Sequence, residues 1–262
     1  MENNTIRIFI GSSANGEDTD MERIYLHTLI TNRAVGFQVD GLHLEVNWMR
    51  QTHDMSSPWA GWETQLWPTP FSGFRWGIPA VCGFKGRAIY TDVDMINLRD
   101  IAALWNTPMD GKPFMARTGH RFGGHEFCVM MIDCSAAEYI LPPFERLRAI
   151  PEMHNRMIGM LSGDSSVVQT MDARWNVLDG EGASGDLATE EMYQLHYTNM
   201  ATQPWKPLWY RGSPGQHRRP DLVDFWYLHD KLAKESEAAG VFQGPQCGRE
   251  YEPYGAYDFI GQ

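Results

Sequence analysis

Arg87-Ala88-Ile89-Tyr90-Thr91-Asp92-Val93-Asp94 is the stretch that decides the fold, because an apolar run ends here in two carboxylates. The β-branched and aromatic residues before Asp92 predict a short buried strand. If the chain stays extended through Asp94, both carboxylates project on one side while Val93 turns toward the interior. Two like charges so close repel each other unless a cation lies between them. The stretch therefore predicts a metal site at a strand end.

The segments on either side alternate between strand and helix patterns. Strands are predicted at 6–10, 42–46, 88–91, 127–132, 171–178 and 192–197, and helices at 20–32, 71–82, 98–105 and 221–239. Asp20 is the predicted N-cap of the first helix, and Gly240 closes the last. This order predicts an α/β fold with a mostly parallel central sheet flanked by helices. Nucleotides bind such sheets outside the carboxyl ends of the strands, which is where Asp92 lies.

The bulk composition restricts the ligand and the compartment. The 262 residues include 22 Lys plus Arg against 33 Asp plus Glu, and the resulting charge of −11 argues against general nucleic-acid binding. The four cysteines form no CxxC pair, which favours reduced thiols in the cytoplasm. No signal peptide and no apolar run of about 20 residues is present, so we expect a protein without a transmembrane segment.

With no repeat or linker, we expect one domain over 1–262, in which 206–262 form a basic and aromatic loop and helix extension.

Carboxylate oxygens suit hard cations such as magnesium and manganese. A divalent cation acting as a Lewis acid would stabilise the charge that develops when a nucleoside diphosphate departs. The alternative is that Asp92 or Asp94 caps the helix beginning near Leu98, or lies in a solvated turn.

Several segments, taken in order along the chain, resemble glycosyltransferase family 8, the glycogenin and lipopolysaccharide galactosyltransferase group. The first three are Phe74-Arg75-Trp76-Gly77-Ile78-Pro79, the Tyr-x-Asp-x-Asp strand of 86–94, and 98–105, which closes on Leu-Trp. Segments 129–133, 174–179, 195–197 and 203–207 are similar to the family's Val-Met strand, Trp-Asn strand, late His strand and Lys-Pro-Trp segment.

The resemblance implies a GT-A fold, a UDP-sugar donor and manganese or magnesium as the metal. It also implies transfer of a hexose, with retention, to the hydroxyl of an unknown glycan, lipid-linked or protein acceptor. The metal ligands carried over are Asp92, Asp94 and His196. The donor-binding positions carried over are Gly11, Ser12, Ser13, Arg75, Asp92, Val93 and Lys206.

Two segments depart from the family pattern and leave the donor sugar and the stereochemical course open. Glu126-Phe127-Cys128 stands where the family has Asn-x-Gly, and we expect Glu126 to take over a polar role there. Asp164-Ser165-Ser166 stands where the family has Asp-Gln-Asp, and we expect Asp164 to bind sugar hydroxyls. Together with Lys206, which would stabilise the departing charge, these are the candidate catalytic residues.

Lys206 lies in a basic island, because 201–220 contain Lys206, Arg211, Arg218 and Arg219 but no Asp or Glu. Such an island favours an anionic ligand. It is also compatible with a solvated loop or, together with Trp205, Trp209 and Tyr210, with a patch that rests on a membrane surface.

Two rival functions remain open at this stage. His120, His125 and Glu126 fall in a Gly-rich segment that is compatible with the metal site of a hydrolase, although their spacing matches no helical ligand pair. The ten Trp residues are compatible with a sugar-binding protein without catalysis. Most of these tryptophans are expected in the core instead.

Overall fold

A computed structural model describes residues 5–33, 42–119, 123–180, 183–206 and 216–244. The strands are β1 Thr5–Gly11, β2 His43–Met49, β3 Arg87–Asp92, β4 Met95–Asn97, β5 Phe114–Thr118, β6 His125–Asp133, β7 Val168–Met171, β8 Val177–Leu178 and β9 Gln194–His196. The α-helices are α1 Thr19–Thr31, α2 Ile78–Val81, α3 Ala102–Trp105, α4 Cys134–Ala137, α5 Phe144–Ala149, α6 Met153–Leu161 and α7 Pro220–Ala238.

The main sheet has six strands in the order β2-β1-β3-β6-β5-β7. Every pairing is parallel except the two that β6 makes, so β6 is the one strand of this sheet that runs against the others. The central strands read as continuous apolar runs because both faces are covered. Ile8, Ile89 and Ile132, for example, are fully buried. The predicted mostly parallel α/β sheet is confirmed.

A second, smaller sheet has the order β4-β9-β8, and its first strand, β4, follows β3 in the chain. β4 pairs with β9 in antiparallel fashion, and the register places Met95 opposite His196. β9 in turn pairs in parallel with β8, so Leu178 lies opposite His196 on the other side. Since only two residues separate β3 from β4, the second sheet brings His196 to the end of β3.

Three predicted elements need correction. The chain is helical only over Ala102–Trp105 in the segment predicted as 98–105, because β4 pairs with β9 just before it and Asp100 starts the helix by accepting from the Ala102 N–H at 2.9 Å. The strand predicted at 171–178 is broken by a 3₁₀ helix over Ala173–Asn176. The helix predicted at 71–82 is 3₁₀ over Ser72–Gly77 and α only from Ile78.

The predicted N-cap of α1 is also displaced. Asp18 occupies the N-cap position, and Asp20 lies within the first turn, where an acidic side chain still interacts favourably with the helix dipole. The carboxylate of Asp18 does not cap the helix but accepts from the Ser13 N–H at 2.7 Å. The predicted end of α7 is confirmed, because Gly240 adopts a φ of +72° directly after it.

Helix α7 packs on α1 and shares the apolar core of the main sheet. Arg23 pairs with Glu237 at 2.8 Å, and His27 lies 3.0 Å from Ser236. Leu222 and Trp226 of α7 belong to the same buried cluster as the strands of the main sheet. Among the described residues, no helix is long and apolar enough to cross a membrane.

The tryptophans of the described ranges lie mostly in the core, as expected from their size. The buried ones are Trp48, Trp59, Trp62, Trp67, Trp76, Trp175 and Trp226. Trp205 is half-buried and stacks at a centroid distance of 4.6 Å on Trp226. Trp209 and Tyr210, the other members of the predicted membrane patch, lie outside the described residues.

Candidate functional site

The carboxyl ends of β1 and β3 meet at Gly11 and Asp92, which are directly paired. A Cβ atom at Gly11 would collide with the ring of Phe71 and lie 3.0 Å from the Tyr90 hydroxyl. Glycine is therefore required here by the close approach of two aromatic side chains. Gly11 is thus the last residue of β1 and lies beside Asp92, while its contact with the donor stays a prediction.

Asp92 is held from two directions through one oxygen. The Tyr90 hydroxyl donates to Asp92 Oδ1, and Arg75 Nη2 donates to the same atom at 3.1 Å. Arg75 is only 5% exposed, lies over the Tyr90 ring and also donates to the carbonyls of Ser72 and Phe127. The ion pair between Arg75 and Asp92 is therefore buried, and the contact of Arg75 with the donor stays a prediction.

The chain does not stay extended through Asp94, which corrects the geometry expected from the strand pattern. β3 ends at Asp92, and Val93 and Asp94 form a bend before β4. Val93 is buried, as predicted, so only its backbone could contact a ligand. The helix-cap alternative is also wrong, because β4 lies between these carboxylates and α3, whose N-cap is Ile101.

The two carboxylates are brought together by His196 and not by the alternation of side chains along one strand. Its Nε2 lies 3.1 Å from Asp94 Oδ1. Burial opposes a charge on the imidazole, but the adjacent Asp94 carboxylate outweighs it and raises the pKa of His196. Asp94 Oδ1 is itself buried and accepts no directed hydrogen bond from any described group. An unmet buried carboxylate oxygen facing an imidazole nitrogen suits a cation between them.

Asn176 fixes which nitrogen of His196 is available. Its Oδ1 lies 3.0 Å from His196 Nδ1, and an amide oxygen can only accept, so Nδ1 carries a hydrogen. The lone pair of the neutral ring is then on Nε2, the atom that faces Asp94. Metal-binding histidines are oriented in this way by their second nitrogen.

Cys128 is a further donor at the same corner. The β3–β6 register pairs Thr91 with Val129, which places Cys128 beside the end of β3. Among the described residues, a carboxylate oxygen of Asp92, Cys128 Sγ and a ring nitrogen of His196 all lie within 4.8 Å of one another. Burial raises the pKa of the Cys128 thiol well above its usual range, and the charge of Asp92 adds to the effect.

The two serines after β1 bind acidic side chains of the protein. The Ser12 hydroxyl donates to Glu22, which also pairs with Arg50 at 2.6 Å, and the Ser13 N–H donates to Asp18. Both serines are buried. Their contact with the donor nucleotide stays a prediction.

Lys206 ends a turn that reaches the metal corner. Its backbone N–H donates to Gln203 O at 3.0 Å, and Gln203 Nε2 lies 3.5 Å from Asp94 Oδ2. Two arginines of the basic island form ion pairs, Arg218 with Asp186 and Arg219 with Asp221. Arg211 lies outside the described residues. The contact of Lys206 with an anionic ligand stays a prediction.

Glu126 contacts Arg117, which in turn contacts the backbone of Asn176. It accepts from Arg117 Nε at 2.8 Å, and Arg117 Nη1 donates to the backbone carbonyl of Asn176 at 2.7 Å. This links Glu126 to the residue that orients His196. The catalytic role of Glu126 stays a prediction.

Asp164 lies one turn before β7, because its carbonyl accepts from the Val168 N–H, and its carboxylate accepts from Ser166. Two strands separate β7 from β3, which corresponds to about 14 Å across the sheet. No contact of Asp164 with the corner of Asp92 is present among the described residues. Its catalytic role stays a prediction.

The residues of the hydrolase alternative do not gather into a metal site within the described ranges. His125 lies 3.0 Å from the Ser162 carbonyl and 3.3 Å from the Thr170 hydroxyl, while Glu126 pairs with Arg117. His120 lies outside the described residues. Among the described residues, the group of three possible metal-binding atoms is that of Asp92, Cys128 and His196.

Sequence reasoning missed Asn176 and Cys128 as site residues. Asn176 is fully buried between Trp175 and Val177, and a buried amide is a usable signal because it must have a partner. Cys128 gave no such signal, since a cysteine in an apolar strand is ordinarily a small core residue.

No protein-family model and no curated protein matches the chain. Solved glycosyltransferase structures do match its fold. The bifunctional glycosyltransferase WbbM aligns at 10% identity and a TM-score of 0.60, covering 87% of this chain and 50% of that one. GlyE of Streptococcus pneumoniae TIGR4 aligns at 13% identity and 0.58, covering 92% and 66%. The galactosyltransferase LgtC, solved with donor and acceptor sugar analogs, aligns at 10% identity and 0.56, covering 88% and 96%.

The chain thus spans half of the WbbM chain and just under two thirds of the GlyE chain, but nearly all of LgtC. These likenesses show that the chain has the GT-A fold, as the sequence predicts. Membership of family 8 stays a prediction.

Proposed function

We propose that this protein is a metal-dependent glycosyltransferase that transfers a hexose from a UDP-sugar to an acceptor hydroxyl with retention. The proposal is supported by one observation above all. Asp92, Asp94 and His196 converge at the carboxyl ends of β1 and β3, where buried Asp94 Oδ1 lacks a directed hydrogen bond. This is the edge at which open α/β sheets bind nucleotides.

The residues present fit a divalent cation. Two carboxylates and an imidazole would hold manganese or magnesium, with His196 Nε2 and Asp94 Oδ1 facing each other. A bound cation supplies Lewis-acid stabilisation of the negative charge on the departing diphosphate. Tyr90 and Arg75 keep Asp92 in place, and Asn176 keeps His196 in the tautomer that binds metal.

The other groups bind and orient the donor. Gly11 leaves the strand edge open beside Asp92, and the turn of Ser12 and Ser13 borders the nucleoside. Lys206 follows Gln203, which contacts Asp94, so its ammonium group is suited to the leaving phosphates. Arg75 acts on them through Asp92, because its guanidinium is buried against that carboxylate. The acceptor hydroxyl would attack the anomeric carbon as the bond from that carbon to UDP breaks, and the hydroxyl proton would pass to the departing diphosphate.

Titration calorimetry with UDP in the presence of manganese tests the site. Asp94→Ala should abolish metal-dependent UDP binding, because it removes the carboxylate that faces His196 Nε2. Asp224→Ala, which deletes an exposed carboxylate on α7, is the matched control and should bind as the parent protein does. Unchanged affinity in Asp94→Ala would contradict the proposed site.

Turnover is tested with a panel of nucleotide sugars, scored by metal-dependent release of the nucleoside diphosphate. Release of UDP from one UDP-hexose fixes both base and sugar. Release from no donor, with intact UDP binding, would favour the non-catalytic sugar-binding alternative. Asp164→Ala is assayed separately, because a lower kcat at unchanged UDP affinity would support its predicted contact with the sugar.

A further inference from the structure

A sulfur atom lies at the corner that the carboxylates and His196 form. Cys128 Sγ, a carboxylate oxygen of Asp92 and a ring nitrogen of His196 are mutually within 4.8 Å, and the three residues come from β6, β3 and β9. The ligand atoms of a tetrahedral zinc site, with bonds of about 2.0–2.3 Å, are separated by roughly 3.5 Å. Small side-chain rotations would therefore bring this set to coordination distance.

The chemistry of this set differs from that of carboxylates and imidazole alone. Oxygen ligands suit magnesium and manganese, whereas a thiolate favours softer cations such as zinc and cobalt. A site of nitrogen and oxygen ligands already binds zinc more tightly than manganese. The informative quantity is therefore the increase in the ratio of zinc affinity to manganese affinity that the sulfur causes.

The surroundings can accommodate the extra negative charge of a thiolate. Arg75 is buried against Asp92 and against the Phe127 carbonyl, so a permanent cation lies beside the corner. Cys128 and Asp92 are both half-buried. When a thiol binds a metal ion, its proton passes to solvent.

We propose that Cys128 is a protein ligand of the metal centre and that its sulfur makes the centre select zinc or cobalt over manganese and magnesium. The inference rests on the proposed function for the position of the metal, and it adds a ligand and a choice of ion. The rival role is a thiol that only donates a hydrogen bond to Asp92 and never contacts the metal.

Cobalt titration of the full chain tests the proposal by spectroscopy. Direct coordination gives a thiolate-to-cobalt charge-transfer absorption in the near ultraviolet, which should appear in the parent protein and be lost in Cys128→Ser and Cys128→Ala. The matched control is Cys82→Ser, which changes the half-buried cysteine that follows α2 and should keep the band. Equilibrium competition between zinc and manganese should show a zinc affinity lower by at least about tenfold in both Cys128 variants, with manganese affinity much less affected.

The outcomes separate this inference from the proposed function. Cobalt binding to the parent protein without a charge-transfer band overturns the sulfur ligand, even if both Cys128 variants fail to fold. Manganese-dependent UDP binding that is lost in Asp94→Ala would then leave the proposed function standing. If the band is lost when Cys128 is replaced and no UDP-sugar is turned over with any metal ion, the sulfur ligand stands and the proposed function is overturned.

Discussion

The Asn176 side chain is 3.0 Å from His196 Nδ1 and is fully buried, so its amide has little freedom to turn away. Its own backbone carbonyl is held by Arg117, which Glu126 fixes in turn. At the scale of single residues, metal binding therefore depends on side chains that would not touch the metal. Partners of this kind orient a ligand and raise its basicity.

Replacement of Asn176 by Ala should lower metal affinity by about 10- to 100-fold, because His196 would no longer be held in the tautomer with a free Nε2. Calorimetric titration of manganese in the presence of UDP measures this loss. Asn155→Ala, which removes an exposed amide from α6, is the control and should leave the affinity unchanged. An Asn176→Ala protein with the parent affinity would show that His196 needs no orienting partner.

At the scale of elements, the site depends on the close fit of the ends of β1 and β3. Gly11 lies opposite Asp92 and has no room for a methyl group, since the Phe71 ring and the Tyr90 hydroxyl fill that space. By contrast, Gly159 lies in α6 with nothing within 4 Å of the position of a Cβ atom. The two glycines therefore respond to the same substitution in opposite ways.

Gly11→Ala should destabilise the fold by about 1–3 kcal/mol, because the added methyl group pushes Phe71 away from the strand. It should also weaken UDP binding at the adjacent edge. Gly159→Ala should stabilise the protein by up to about 1 kcal/mol, because alanine is the better helix former. Urea unfolding of both variants measures the two effects. A Gly11→Ala protein as stable as the Gly159→Ala protein would contradict the close packing at the strand edge.

At the scale of the whole molecule, buried polar groups tie the two sheets and their helices together. Asp179, directly after β8, accepts from the Thr198 N–H at 2.7 Å and pairs with His217 at 2.9 Å, which anchors the chain on both sides of the second sheet. On the main sheet, the Trp76 indole donates to His154 Nδ1 at 3.1 Å and joins α6 to the 3₁₀ helix of Arg75. Each link restricts how far the elements that carry the site can move.

His154 makes the stability of the fold depend on pH. Burial lowers the pKa of His154 to about 3, with a further contribution from Arg75, whereas the unfolded chain takes up the proton near pH 6.5. The unfolded state therefore binds more protons below about pH 6.5, so stability is complete above that value and falls as the pH decreases toward 3. From this residue alone we expect a loss of about 2 kcal/mol between pH 7 and pH 5.

His154→Gln should flatten this dependence, since the replacement does not titrate. Urea unfolding at pH 7 and at pH 5 gives the two free energies of unfolding. His53→Gln, at an exposed position, is the control and should keep the slope of the parent protein. A parent protein with equal stability at both values would contradict the neutral, buried imidazole.

The sequence alone determined the buried strand that ends at Asp92, the mostly parallel sheet and the edge where the site lies, because side-chain alternation and apolar runs are local properties of the chain. Only the tertiary structure decided the bend at Asp94, the antiparallel course of β6, the meeting of Asp92 with His196 and Cys128, and the contact of His196 with Asn176. Strand neighbours and registers are selected by how the whole chain buries its apolar faces. No local pattern specifies which distant polar side chains that burial brings together.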